Sequence, residues 1–182
     1  MKSLNLLNNL KLQLRNCTAC SKMVQSRKEI MGDNHYPCFF NGTSTTKLMF
    51  VGIAPGRLKT LDSDTRDSAF KHGSGKILRR IFNDFNINLD DIFVTNVLKC
   101  NTPSDGKFEI KDVKNCVNNF LKKEIELVNP KKIILLGAKT RTYFHRYVGV
   151  TENVYTAWHP AAVMRGFKRY PDYVEQFKNI LV

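Results

Sequence analysis

The chain has 182 residues, 42% of them apolar, and carries 29 Lys and Arg against 16 Asp and Glu, for a formal net charge of +13 and a pI near 9.7. That length and apolar content suit one globular domain with a sizeable core and exclude a disordered chain. The charge favours a polyanionic partner, nucleic acid ahead of an anionic membrane, because surplus Lys and Arg attract phosphate and release its counterions.

In chain order, residues 3–15 read as a helix. The start MKSLNLLNNLKLQ is too broken by Asn and Lys for a signal peptide. No run reaches the roughly 18 to 20 uninterrupted apolar residues of a membrane span, so a cytoplasmic, nucleoid-associated protein is expected. Cys17 and Cys20 then form a C-x2-C pair, which Cys100 and Cys116 can complete from far downstream. Four thiolates so arranged hold zinc or an iron–sulfur cluster; the alternative is a scatter of buried core cysteines. Cys38, in HYPCFFNG, has no partner at ligand spacing and reads as a buried thiol.

Short apolar runs at 47–53 (KLMFVGI), 92–98 (IFVTNVL) and 132–137 (KIILLG) are rich in β-branched residues and read as central parallel strands, with 154–158 (VYTAW) as a shorter fourth. Between them, Ile77, Leu78, Ile81, Phe82 and Phe85 recur at helical spacing. Val113, Val117, Phe120, Leu121, Ile125 and Val128 do the same before Pro130. Further helices are expected over 138–147 and 171–181. The alternation of strand and helix predicts an α/β fold with three α/β/α layers around a mostly parallel four-stranded sheet. Residues 1–182 read as one domain, with no repeat or linker.

Ligands of such sheets bind outside the carboxyl ends of the strands. Four stretches should meet there: GIAPG (Gly52, Ile53, Ala54, Pro55, Gly56), Asn96, the loop AFKHGSGK, and WHPAAVMRG. HGSGK is not a phosphate loop of an NTPase, because Phe70 stands where the first glycine is required and no strand precedes it.

Taken together, CTAC, GIAPG, AF with SGK, TNVLKC, Cys116 and HPAAVMR resemble, in order, the motifs of the uracil-DNA glycosylase superfamily. The likeness runs from Cys17 to about Arg165. It is greatest to the iron–sulfur branch, family 4, whose members read GEAPG in the second motif. The resemblance implies a DNA-repair hydrolase that acts on uracil-containing DNA as a monomer. It also implies a 4Fe-4S cluster, rather than zinc, on Cys17, Cys20, Cys100 and Cys116.

It further assigns roles by position. Phe70 would stack on the extruded base, Asn96 would read the uracil edge, and His159 would stabilise the charge that grows on the leaving base. Gly52, Ile53, Ala54, Pro55, Gly56 and Ser74 would line the substrate pocket. Arg57, Lys76, Met164 and Arg165 would contact DNA, with Met164 and Arg165 at the tip that enters the duplex. Lys71, Arg79, Lys168 and Arg169 would add phosphate contacts.

Ile53 departs from the pattern, because an isoleucine replaces the motif glutamate, a candidate for orienting the attacking water. An apolar residue there looks more like other branches, including family 5. Two alternatives therefore stand beside uracil excision. One is a glycosylase with a broader range of deaminated bases, and the other is a catalytically weak or inactive DNA-binding homologue. Asp62, Asp64 and Asp67 could supply a carboxylate but read more simply as solvated loop charges.

Overall fold

A computed structural model of the chain describes residues 2–31, 46–56 and 73–181, and the side chains of 5–30, 46–56 and 73–181. Four strands form its sheet: β1 (Leu48–Gly52), β2 (Ile92–Asn96), β3 (Lys132–Leu136) and β4 (Val154–Ala157). Their order is β2-β1-β3-β4, and every pairing is parallel. The strands are shorter than the apolar runs suggest. Val97 and Leu98 have left the β2 ladder, yet their N–H groups donate to the carbonyls of Gly52 and Ile53, both at 2.9 Å.

Alternation along the strands sorts their side chains onto two faces. Met49, Val51, Phe93, Ile133 and Leu135 join one core, and Phe50, Ile92, Ile134, Leu136 and Ala157 join the other. The first face is covered by α1 (Lys2–Arg15), whose buried Leu7, Leu10 and Leu14 recur at helical spacing. It is also covered by α4 (Ile110–Cys116) and α5 (Lys122–Val128), and by Phe144 of α6 (Ala138–Tyr147). The second face is covered by α3 (Gly75–Asp84) and α8 (Tyr170–Leu181). There Phe50 meets Phe82 edge-on at 5.0 Å and stacks on Phe177 at 6.3 Å. Each buried side chain of this size contributes about 1.5–3 kcal/mol.

The run from Ile110 to Val128 begins with a capping box between Glu109 and Asp112. A π-helical turn, Val117–Leu121, joins α4 to α5. The extra residue in such a turn resets the helical phase, and both Cys116 before it and Glu124 after it are buried. Asn129 in the left-handed conformation (φ 46°, ψ 57°), followed by Pro130, ends the helix.

Two helices were not expected from the pattern. One is α2 (Ser21–Met31), directly after the C-x2-C pair, and the other is α7 (Pro160–Met164), within HPAAVM. No helix among the described residues is long and apolar enough to cross a membrane.

Candidate functional site

Two glycines decide what can gather at the carboxyl end of the sheet. Gly52 ends β1 beside Asn96, which ends β2 in the same register. A Cβ on Gly52 would collide with Asn96 Oδ1, so the absent side chain is what lets the Asn96 amide lie across the end of β1. Gly137 follows β3 with φ +93°, and a Cβ there would stand 3.0 Å from His159 Cβ. Glycine is needed at this position for both space and conformation. The outer strands thus lean their polar residues, Asn96 and His159, over the bare ends of the two central strands.

His159 is the N-cap of α7, and Pro160 occupies the first helical position, where a missing N–H costs nothing. Its Nδ1 accepts a hydrogen bond from the Ala161 N–H at 3.1 Å. That bond requires an unprotonated Nδ1 and leaves the ring proton on Nε2. Burial, and then the positive charge of Arg165, hold the His159 pKa below the usual imidazole range. The ring is therefore a neutral hydrogen-bond donor at neutral pH.

The backbone of the GIAPG turn is held by its neighbours. Asn101, itself buried, donates from Nδ2 to the Gly56 carbonyl at 2.6 Å. Gly56 is exposed, with open space around the position of a Cβ. The side chains of Ile53 and Ala54, expected to line the pocket, are partly buried and pack against the first core. Pro55 is partly buried. Ser74 is the N-cap of α3 but makes no capping bond through its side chain, and Lys76 is exposed in the first turn. Arg57, Phe70, Lys71, Cys38, Asp62, Asp64 and Asp67 lie outside the described residues.

Beyond His159, α7 runs into an exposed tip. Met164 is 47% and Phe167 74% exposed, and the exposed cations Arg165, Lys168 and Arg169 flank them. The tip is closed by the Gly166 N–H donating to the Val163 carbonyl and the Lys168 N–H to the Ala162 carbonyl. Phe167 was not singled out in the sequence; its signal was an aromatic directly before the Lys168-Arg169 pair. Beside the tip, a cavity of about 500 Å³ opens next to His159, with Arg141, Trp158, Lys168 and Gln176 among its walls. Lys168 Nζ lies 4.4 Å over the Trp158 ring.

Under the opposite end of the site lies a buried ionic network. Lys99 Nζ donates to Glu124 Oε2 at 2.7 Å, to Thr95 Oγ1 at 2.6 Å and to the Asn96 carbonyl at 2.8 Å. Thr95 Oγ1 in turn donates to Glu124 Oε2 at 2.7 Å. Lys99 and Glu124 are 1% and 0% exposed, so this pair fixes the backbone that carries Asn96 from inside the protein. Sequence reading noted the lysine only as a letter of TNVLKC and missed the glutamate.

Next to Lys99 begins the cysteine set. Cys20, Cys100 and Cys116 are buried, and Cys17 is partly buried against the same core. Burial pushes the thiols of Cys20, Cys100 and Cys116 up to about 12, and each of the three feels the charge of at least one other cysteine of the set. Asn115 Nδ2 donates to Cys20 Sγ at 3.8 Å, and Arg27 Nη1 to Cys100 Sγ at 3.3 Å. Among the described residues, no three His, Cys, Asp or Glu side chains close on the position of a single metal ion.

The sequence profile of the Uracil DNA glycosylase superfamily matches residues 39–181. The chain is 27% identical over 159 residues to a Type-4 uracil-DNA glycosylase of Archaeoglobus fulgidus, covering 76% of this chain and 77% of that protein. It is 25% identical over 172 residues to a Type-4 uracil-DNA glycosylase of Pyrobaculum aerophilum, covering 84% and 81%. A Type-5 uracil-DNA glycosylase of the same organism is 23% identical over 182 residues, covering 82% and 80%. The profile takes in the glycine-ended strands, Asn96 and the His159 cap alike, and by that match the chain belongs to the uracil DNA glycosylase superfamily.

Proposed function

We propose that this chain is a DNA-repair glycosylase that hydrolyses the N-glycosidic bond of uracil in DNA, releasing uracil and leaving an abasic site. The observation that carries this reading is the pairing of Asn96 on Gly52 with a neutral His159 on Gly137, at adjoining strand ends. The names of the relatives support the substrate.

The bond is out of reach inside a duplex, so the nucleotide must be extruded into the site. Asn96 then reads the base. Its amide N–H donates to uracil O4 and its carbonyl accepts from N3–H, whereas cytosine presents the opposite polarity at both positions. A mismatched base would leave a buried amide unpaired, the costly kind of discrimination. By its place in the motif Phe70 would cover one face of the base, and the backbone from Gly52 to Gly56, with Ser74, would line its surroundings.

As the bond to the sugar stretches, negative charge grows on the base, chiefly at O2. The Nε2–H of His159 meets that charge, which is larger in the transition state than in the ground state. The sugar cation left behind is captured by water, which adds a hydroxyl to C1′ as the proton departs. Met164, Arg165 and Phe167 hold the flipped state, while Arg57, Lys76 and Lys168 neutralise phosphates. The protein acts as one domain and a monomer.

The donor set suits a 4Fe-4S cluster: Cys20, Cys100 and Cys116 share one core with Cys17 packed against it, and the buried Arg27 guanidinium donates to Cys100 Sγ. Cys17, Cys20, Cys100 and Cys116 would hold it. Held by these residues, a cluster would serve structure rather than the hydrolysis, with its ligands joining the amino-terminal segment to the end of β2 and to α4.

The test is release of free base from single- and double-stranded oligonucleotides carrying uracil, hypoxanthine or xanthine. Uracil release that His159→Ala lowers about 10²- to 10³-fold supports the reading, and absence of any release from all three refutes it. The departure at Ile53 leaves uracil excision as the favoured reading, since its side chain packs against the first core. Hypoxanthine or xanthine released as fast as uracil would decide for a broader base range instead.

A further inference from the structure

Arg27 sits on α2 with 2% of its surface exposed. From there its guanidinium reaches both halves of the cysteine set. Nη1 donates to Cys100 Sγ at 3.3 Å, and Nη2 to the Cys17 carbonyl at 3.2 Å. The third nitrogen, Nε, is buried with no hydrogen-bond partner among the described residues. No ion pair between described residues includes Arg27.

A guanidinium keeps its charge in any protein environment. Burying it without a countercharge is costly, and a carbonyl and a neutral thiol do not supply one. The Cys100 thiol it touches does so once it is a thiolate, which is its state when it ligates metal. Cys20, Cys100 and Cys116 are all buried within the same core. Arg27 thus has the position of a countercharge for a thiolate set. The neighbouring contact of α2, Ser26 Oγ donating to the Thr102 carbonyl at 2.9 Å, docks the helix on the same segment without touching a sulfur.

We propose that Arg27 is a positioning residue of the metal centre: its guanidinium donates to a ligand sulfur, holds the Cys17 turn, and offsets the negative charge of four cluster-bound thiolates. This rests on the cluster reading above. A hydrogen bond to a ligand sulfur, and a positive charge beside it, favour the reduced cluster and so raise the reduction potential. Partners of this kind also hold ligands in place, and their loss typically costs about 10- to 100-fold in affinity for the metal.

The experiment compares the anaerobically purified full chain with Arg27→Gln, Arg27→Lys and Ser26→Ala. Iron and sulfide per chain, the reduction potential by spectroelectrochemical titration, and the rate of iron release to a chelator are measured on each. In Arg27→Gln the potential should move to more negative values and iron release should quicken about tenfold or more. In Arg27→Lys, which keeps the charge but not the two-pronged reach, both changes should be smaller and in the same direction. If Arg27→Gln does not fold, Arg27→Lys alone carries the readout. Ser26→Ala should leave the potential unchanged, because it loosens α2 without altering the field at the sulfurs. A wild type without iron overturns the cluster reading and this inference together. A wild type with iron whose potential and release rate are the same in both Arg27 variants overturns this inference alone, as does a Ser26→Ala variant that reproduces the Arg27→Gln shift.

Discussion

Gly52 and Asn96 are registered partners on adjacent parallel strands, and the Asn96 amide occupies the space that a side chain at position 52 would fill. Gly52→Ala therefore displaces Asn96 rather than the sheet, since the atom in the way is the end of a flexible side chain. Stability should change by less than about 1 kcal/mol, while uracil release falls about 10²-fold from misplacement of the reading group. Thermal denaturation and kcat/KM on a uracil oligonucleotide check both halves. Gly137→Ala should behave differently, because φ +93° strains any other residue; it should cost about 1–3 kcal/mol of stability as well as activity. Full activity in Gly52→Ala would show that Asn96 does not read the base from this position.

The His159 imidazole is held neutral by burial and by Arg165. Activity that needs the Nε2–H of a neutral ring, with Nδ1 accepting from Ala161, should have its acid limb at lower pH than an unperturbed histidine would give. Arg165→Gln removes one of the two causes, so the acid limb of the pH–rate profile should move upward. The same shift acts on stability. Between the lowered folded pKa and the unfolded value near 6.5, the unfolded chain binds the extra proton, so stability is complete above that window and is lost as pH falls through it. An acid limb that Arg165→Gln leaves in place would remove Arg165 from the account.

Met164 and Phe167 form an apolar tip between cations. Insertion into a duplex offsets the unstacking that extrusion costs, and a single strand requires none. Phe167→Ala should lower kcat/KM on double-stranded uracil substrate about tenfold, which corresponds to roughly 1.4 kcal/mol of lost stacking, and leave single-stranded substrate unaffected. Equal losses on the two substrates would place Phe167 elsewhere in the mechanism.

Lys99 and Glu124 are paired where water does not reach. Lys99→Met leaves the Glu124 carboxylate buried without its cation, which costs about 3–5 kcal/mol. The double variant Lys99→Met, Glu124→Met removes the stranded charge and should recover part of that loss, a difference that urea unfolding resolves. If the single and double variants are equally stable, the pair has no coupling to break.

Much of this site was legible in the sequence because its information is local. The continuous apolar runs LMFVG and KIILL mark strands buried on both faces. Short strands alternating with helices imply parallel order, and motif spacing marked Asn96, His159 and the four cysteines. The tertiary structure decided the partners. That Gly52 makes room for Asn96, that Gly137 does so for His159, and that Glu124 neutralises Lys99 are facts about residues that neighbour in space and not in the chain. A pattern read along the chain says which face a residue takes, and is silent on which distant residue fills the gap beside it. Arg27 shows the same division most clearly, since nothing along SKMVQSRKEIM marks it, and only the docking of α2 on the Cys100 segment buries it against a ligand thiol.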